Sequence, residues 1–477
     1  MAKGFYVTTP IFYPNAKLHM GHAYTTTIAD TLARYHRLQK EPTYFLSGSD
    51  ENTQKMVEAA SKVGKEPIQF LEGIVSEFRN LYGELDISCD QFIRTTDQKK
   101  HWPGAQLLWK KLSEAGDLYE KEYEGLYCVG HEAFITEKEL VDGKCPEHNL
   151  VPEFLKEKNY FFRLSRYTDA LEKLISSDEL LITPASRKHE ILSFISRGLE
   201  DVSFSRPRRS DWPEGLGVPV PGDPSQVMYV WCDALSNYVT ALGYGGDDAL
   251  YNSFWPADVH VIGKDILRFH AAIWPAMLLS AKLPLPKSLL VHGFITSGGK
   301  KMSKTLGNVI DPEELLQEYG TDAVRYFLTR HISLFEDGDM TREAFKDAYN
   351  AHLANGLGNL AARIITLTET HLQEGVQNHV VTLSKEYQDA FLHLDVNRAI
   401  AIVFEQIDVL NQSITVKEPF RVVKVDPEAG KALIQELAEG LYTVAYALLP
   451  FMPHTAKAIQ VALEKNTKPT TLFPRKE

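Results

Sequence analysis

Apolar and polar positions divide this chain into two parts of different character. Before about residue 345, short apolar and β-branched runs predict buried strands from Gly4 to Thr9, Glu41 to Gly48, Asp258 to Gly263 and Leu289 to Gly293. Pro10, Pro14 and Asn15 mark the loop expected to end the first. From Gly21 the apolar positions Ile28, Leu32 and Tyr35 keep a helical spacing that predicts a helix to Gln39. Beyond residue 345 the period becomes purely helical. Leu353, Leu357, Leu360, Ile364 and Leu367 recur at intervals of four and three. Val403, Ile407, Leu410 and Ile414 do the same, as do Ile434, Leu437, Leu441, Val444 and Leu448. Several amphipathic helices in succession imply a helical bundle after an α/β region.

Between the first two strands and Met228-Tyr229-Val230-Trp231 lies a stretch of about a hundred residues that reads as an insertion. Its end carries Pro207, Pro213, Pro219, Pro221 and Pro224 among glycines, a linker-like composition. The 477 residues, 44% hydrophobic and 24% charged, fit a soluble globular protein of about three domains. The net charge of −12 argues mildly against nucleic-acid binding. Local clusters at Arg206-Pro207-Arg208-Arg209, Arg187-Lys188 and Lys300 to Lys304 still permit it. The chain enters its first strand almost at once, so no targeting peptide is expected. The apolar run from Leu441 to Met452 contains Thr443 and Pro450 and is too short to span a membrane, so no membrane association is expected. Four cysteines, at 89, 128, 145 and 232, suit a reducing cytoplasm.

Two short motifs carry the chemistry. His19-Met20-Gly21-His22 opens the first predicted helix, where a strand's carboxyl end and a helix N-terminus favour an anion. Its imidazoles can donate to phosphate oxygens, and Gly21 lets a flat base approach the backbone. Lys301-Met302-Ser303-Lys304 follows Ser297-Gly298-Gly299 and precedes Gly307, which suits either a lid bearing point charges or a plain turn. Alone, the histidines could be metal ligands or a surface pair, and the lysines a solvated face. Together they fit a site holding ATP from two sides, with neither a Walker A sequence nor GxGxxG to compete. A third pattern, Cys128-Val129-Gly130-His131 with Cys145-Pro146-Glu147-His148, supplies the two sulfur–nitrogen pairs that one tetrahedral zinc needs. The alternative is unpaired cysteines beside surface histidines.

The paired motifs resemble the His-Ile-Gly-His and Lys-Met-Ser-Lys-Ser signatures of class I aminoacyl-tRNA synthetases, with Met20 and Thr305 as mild departures. Thr8-Thr9-Pro10-Ile11-Phe12-Tyr13-Pro14, Tyr229-Val230-Trp231-Cys232-Asp233-Ala234-Leu235, Gly263-Lys264-Asp265-Ile266 and His292-Gly293-Phe294 narrow the resemblance to the methionyl-tRNA synthetases, over essentially the whole chain. The resemblance implies a Rossmann-type parallel-sheet catalytic domain split by a zinc-knuckle insertion and followed by an α-helical bundle. The expected parts are 1–115 and 225–285 for the catalytic halves, 116–224 for the insertion, 286–345 for the Lys-Met-Ser-Lys and stem-contact region, and 346–477 for the anticodon-binding bundle.

It further implies ATP-dependent ligation of L-methionine to tRNA(Met) through methionyl-adenylate, with AMP and diphosphate released and Mg2+ accompanying ATP. His19, His22, Lys301 and Lys304 would be catalytic. Gly21, Asp265 and Val291 would join His19, His22 and Lys304 around ATP. Ile11, Tyr13, Trp231, Ala234, Leu235, Tyr238 and His270 would line the methionine pocket, with Asp50 on the ammonium group. Cys128, His131, Cys145 and His148 would hold one structural Zn2+. Asn359, Arg363 and Phe420 would read the anticodon. A cytoplasmic monomer is expected. This chain departs from the family at Asn52-Thr53 after Asp50-Glu51, at His131 in place of cysteine, and at Phe420 in place of tryptophan. Two other readings are a small-molecule nucleotidyltransferase, which lacks Lys-Met-Ser-Lys and such a helical tail, and an inactive RNA- or partner-binding paralogue, which would tolerate loss of the histidines and lysines retained here.

Overall fold

The structure, a computed structural model, describes residues 3–128, 133–146, 149–210, 212–302, 308–377, 379–468 and 471–477. The chain divides into two compact units. The first comprises Met1–Lys17, Leu46–Glu77 and Asp90–Val291; the second comprises Leu18–Phe45, Phe78–Cys89 and His292–Glu477.

The first unit is built on a six-stranded sheet in the order Gln91–Arg94, Thr43–Ser49, Phe5–Phe12, Val259–Gly263, Ser288–His292, Leu181–Thr183. Two of these strands, Thr43–Ser49 and Ser288–His292, run a few residues into segments of the second unit. Parallel pairing joins Phe5–Phe12 to Val259–Gly263, Thr43–Ser49 to Gln91–Arg94, and Ser288–His292 to Leu181–Thr183. Strands buried on both faces need continuous apolar runs, and Ser288–His292 is buried at all five positions. The first strand continues through Pro10 to Phe12, beyond the end expected from the sequence. Its ladder with Val259–Gly263 registers at Val7 and Thr8, so proline's missing N–H falls past the paired residues. The edge strand Leu181–Thr183 comes from within residues 116–224. The same stretch also holds a four-stranded antiparallel sheet around the long hairpin Leu118–Cys128 and Glu153–Phe162, with the helices Thr168–Ser176 and Ala185–Ile195.

The second unit holds the helix Met20–Leu38, a small sheet of Lys300–Lys301, Ile295–Ser297 and Gly338–Asp339, and the C-terminal helices. Met20–Leu38 is buried at every position from Ala23 to Ala33, rather than along one stripe. Its threonines tolerate this because Thr26, Thr27 and Thr31 each donate to the carbonyl four residues back. The expected helical patterns appear as a π-helical turn Tyr349–Gly358 leading into Asn359–His371, then Val396–Lys417 and Pro427–Leu448. Leu353, Leu357, Leu360, Ile364, Val403, Ile407, Ile414, Ile434, Leu441 and Leu448 are all essentially buried. The stretch Val396–Val425, with mean hydropathy 1.2, is long and apolar enough to cross a membrane by length and composition. A core helix of a soluble protein meets the same criterion, and this one buries Val403 and Ile407 while exposing Glu405 and Asp408.

Candidate active site

In the second unit the two motif histidines cap a helix. His19 is the N-cap of Met20–Leu38, a place more often taken by Ser, Thr, Asp or Asn. The Gly21 N–H donates to His19 Nδ1 at 3.0 Å, and the His19 N–H donates to His22 Nδ1 at 3.1 Å, a reciprocal capping box. The rings lie 3.8 Å apart at 31°. A Cβ on Gly21 would come within 2.9 Å of His19 Cε1, so this glycine first makes room for the cap itself. Burial, then the neighbouring His19, push the His22 pKa well below its usual value. Because Nδ1 of each ring accepts from a backbone N–H, the ring proton sits on Nε2, and each imidazole offers an N–H donor on that edge.

The helix behind this cap is held from within. The Thr25 hydroxyl is shared between Gly21 O at 3.0 Å and His292 Nε2 at 2.8 Å, and His292 Nδ1 donates to Gly293 O at 2.8 Å. Burial lowers the His292 pKa to about 4, leaving a neutral ring. Two turns further on, Asp30 is fully buried. It accepts from Arg325 Nη2 at 2.7 Å, Arg34 Nε at 2.6 Å, Ser88 N at 2.7 Å and Ser88 Oγ at 2.6 Å. Burial alone would raise the Asp30 carboxyl, but Arg325, Arg34 and Ser88 hold it below its usual value. Arg325, also fully buried, donates to the carbonyls of Phe451, Leu85 and Pro450. Every guanidinium nitrogen and both carboxylate oxygens of this buried ion pair thus have a partner. Lys300–Lys301 is the returning strand of a hairpin whose two turn residues, Gly298 and Gly299, have φ of +62° and +70°. The glycines ahead of the lysines thus make a tight turn. Ser303 to Gly307, including Lys304, lie outside the described residues.

In the first unit the strand order reverses between Phe5–Phe12 and Val259–Gly263, the place where open parallel sheets bind ligands. Tyr13 follows the carboxyl end of one strand, and Asp265 sits exposed on a short turn, Lys264–Ile266, after the other. Asp50 follows Thr43–Ser49, is 3% exposed, and donates its N–H to Phe12 O at 2.9 Å. Val291 is fully buried in its strand. The helix Val230–Thr240 brings Trp231, Ala234, Leu235 and Tyr238 together with His270. Tyr238 Oη lies 2.7 Å from His270 Nε2, and His270 Nδ1 donates to Ile266 O at 3.0 Å, so the tyrosine is the donor. Trp231 stacks on Phe269 at 3.7 Å and 6° and meets His270 edge-on at 6.2 Å. Burial lowers His270 to about 4 and His260 well below its usual value. The cluster is aromatic and uncharged, with Ala234, Leu235, Tyr238 and His270 buried and Trp231 and Phe269 half-buried, features that suit a slot for an apolar, polarizable side chain. Ile11 lies half-buried at the strand end.

Comparison with known proteins decides the family. The profile "tRNA synthetases class I (M)" matches residues 5–151 and 148–365. The chain is 43% identical to the methionine–tRNA ligase of Caldanaerobacter subterraneus subsp. tengcongensis over 476 residues, covering 96% of this chain and 73% of that one. It is 40% identical to the methionine–tRNA ligase of Rhizobium meliloti, covering 95% and 90%. The chain belongs to the methionyl-tRNA synthetase family. Its structure resembles Mycobacterium tuberculosis methionyl-tRNA synthetase in complex with methionyl-adenylate, with TM-score 0.90, 36% identity, and coverage of 99% of this chain and 100% of that one.

As a methionyl-tRNA synthetase family member it is a class I aminoacyl-tRNA synthetase, a ligase that charges tRNA. Asn359, exposed, and Arg363, half-buried, begin the helix Asn359–His371 one turn apart. Phe420, 39% exposed, lies on a different helix, Pro419–Val425. Cys128 and Cys145 are buried in one small cluster with Ile135, whereas His131 and His148 lie outside the described residues. Among the described residues no group of three or more histidine, cysteine, aspartate or glutamate side chains is arranged to hold a metal. Sequence reasoning missed Phe269, whose signal was its place directly before His270, and the buried trio Asn52, His101 and Asp233. For the trio only the departure at position 52 gave a hint.

Proposed function

We propose that this synthetase ligates L-methionine to tRNA(Met) in two steps. Methionine's carboxylate oxygen attacks the α-phosphorus of ATP, which enters as its magnesium complex; the bond to the β-phosphate oxygen breaks, and diphosphate leaves. The terminal ribose hydroxyl of tRNA then attacks the methionyl carbonyl, and AMP departs from the tetrahedral intermediate with the ester formed. The observation that carries this reading is the reciprocal His19–His22 cap, which fixes both Nε2–H donors at a helix N-terminus. Donors held in place stabilise charge on phosphate oxygens without reorganising. Lys301 and Lys304 add positive charge, Asp265 takes the ribose, and the Val291 backbone meets the adenine. Asp50 takes the ammonium group, while Ile11, Tyr13, Trp231, Ala234, Leu235, Tyr238 and His270 enclose the thioether side chain. The decisive experiment is pyrophosphate–ATP exchange with each of the twenty amino acids: methionine alone should support it. Exchange driven by valine, isoleucine, leucine or cysteine instead would overturn the assignment.

The domain reading goes with it: catalytic halves 1–115 and 225–285, an insertion at 116–224, a stem-contact region at 286–345 and the anticodon-reading bundle 346–477, in a cytoplasmic monomer. Asn359, Arg363 and Phe420 would face the CAU anticodon, with the Phe420 ring offered to an unstacked base. The donor chemistry of the insertion fits zinc. Cys128 and Cys145, 0% and 1% exposed, share a cluster, as two sulfur ligands of one ion would, and His131 and His148 would supply the nitrogen ligands. The ion would cross-link the two turns structurally. Protein purified without added zinc should carry about one zinc per chain; metal-free protein that is folded and fully active would exclude the site.

A further inference from the structure

Beyond the proposed pocket residues, a buried polar network ties that pocket's segments together. Asp233, fully buried, lies on the helix Val230–Thr240 between Trp231 and Ala234. Asn52 Nδ2 donates to its Oδ2 at 2.5 Å, and His101 Nε2 donates to its Oδ1 at 2.5 Å. Both donors are themselves held. The Gly217 N–H donates to Asn52 Oδ1 at 2.8 Å, Asn52 Nδ2 also reaches Thr95 O at 3.3 Å, and His101 Nδ1 lies 2.8 Å from Thr240 Oγ1. Asn52 is 3% and His101 0% exposed, so none of these groups can turn to water for a substitute partner.

Each end of this network adjoins a residue given a role in binding methionine. Asn52 is two residues beyond Asp50, on the loop leaving Thr43–Ser49. Asp233 is two residues beyond Trp231 and one before Ala234. A carboxylate with one buried donor on each oxygen has a fixed orientation, and it fixes the two segments that donate to it. His101 precedes the helix Trp102–Glu114 and makes no side-chain cap there, so the Asp233 bond is not a by-product of helix capping.

We infer that Asn52, Asp233 and His101 form a positioning clamp that sets the distance between the ammonium-binding loop at Asp50 and the aromatic wall at Trp231. The inference rests on the methionine-ligase reading and adds to it the residues that hold the amino-acid pocket in register. None of the three touches the reacting atoms; their effect passes through Asp50 and Trp231. The clamp acts on amino-acid binding and leaves the phosphate chemistry of the second unit alone.

Steady-state pyrophosphate exchange tests this, with melting temperature measured alongside. Asn52→Ala and His101→Ala should each raise KM for methionine by roughly tenfold, the size of one lost hydrogen bond to a buried charged group. kcat and KM for ATP should change by less than about twofold, since the lost bonds lie outside the ATP site. Asn52→Asp, which sets a second carboxylate against Asp233, should raise methionine KM at least as far. His101→Gln, whose amide can still donate to Asp233, should recover most of the affinity. An unchanged methionine KM in both alanine variants overturns the clamp. So does a parallel loss of kcat and both KM values that tracks melting temperature, with His101→Gln no better than His101→Ala. A wild-type protein giving no methionine-dependent exchange would instead remove the ligase reading, and the clamp with it.

Discussion

Two histidine pairs, one in each compact unit, are set in opposite surroundings. In the first, His260 and His270 are wholly buried among Tyr238, Trp255 and Trp274, and burial keeps both rings neutral. In the second, His19 and His22 stand at a helix N-terminus with their Nδ1 atoms fixed by backbone donors. One pair serves an environment from which charge is excluded, the other an end of a helix that attracts it. The residues assigned to methionine all fall in the first unit, and those assigned to the phosphates, apart from Asp265 and Val291 on the nucleoside, fall in the second. On the proposed assignment, side-chain recognition and phosphate stabilisation draw on separate units and should be separable by mutation.

The largest expected effect lies in the framework of the second unit. Arg325→Met leaves Asp30 buried without its main cation and should cost about 3–5 kcal/mol of stability, read from denaturant unfolding. A change below about 1 kcal/mol would show that the pair is dispensable. Next is His22→Ala, expected to slow adenylate formation by about 2–4 kcal/mol while methionine affinity stays put. Normal activation with weakened methionine binding would reverse the division of labour between the units.

Acid should weaken both units. His270 and His292 are lowered to about 4, whereas the unfolded chain titrates near its ordinary value. The unfolded state therefore binds more protons between those values, so stability is full above about pH 6.5 and falls as pH drops towards 4. Each histidine should cost about 2 kcal/mol between pH 7 and pH 5. His270→Gln should remove its share of that slope and leave the share from His292; an unaltered slope would mean that His270 is charged in the folded protein. The smallest effect concerns the bundle. Phe420→Ala should weaken tRNA charging by about 1 kcal/mol, the lower end for one stacked base, with pyrophosphate exchange unchanged. Equal losses in both reactions would make Phe420 a packing residue.

Much of this was legible beforehand. The strands that precede Tyr13 and Asp265 and the long helical periods were legible because each is a local pattern, a contiguous apolar run or a repeat of three and four, although the first strand runs past Pro10 to Phe12 where the sequence had ended it. Asn359 and Arg363 were placed on one helix for the same reason. The aromatic residues around Trp231 could be nominated only through their motifs, since most buried tryptophans and tyrosines are simply core. Phe269 and the clamp of Asn52, His101 and Asp233 escaped. Their partners are separated by up to 181 residues, and no local spacing encodes such a bond. The helical period at Val403, Ile407, Leu410 and Ile414 was legible, but not the length of the apolar stretch Val396–Val425, because charged residues interrupt positions that only burial sorts into one face.

By itself the sequence determined the kinds of element, their order and the two motifs that mark the chemistry, because propensity, periodicity and short catalytic patterns are properties of neighbouring residues. Only the tertiary structure decided that His19 caps its own helix, that Gly21 is needed first to admit that cap, and that a helix rich in threonine can be buried on every side. It also decided which buried charges find partners. Asp30 meets Arg325, and Asp233 meets Asn52 and His101, across distances along the chain that fold alone closes. The reason is physical: desolvation makes an unpaired buried charge intolerable, but which distant group relieves it depends on where the backbone is carried in space.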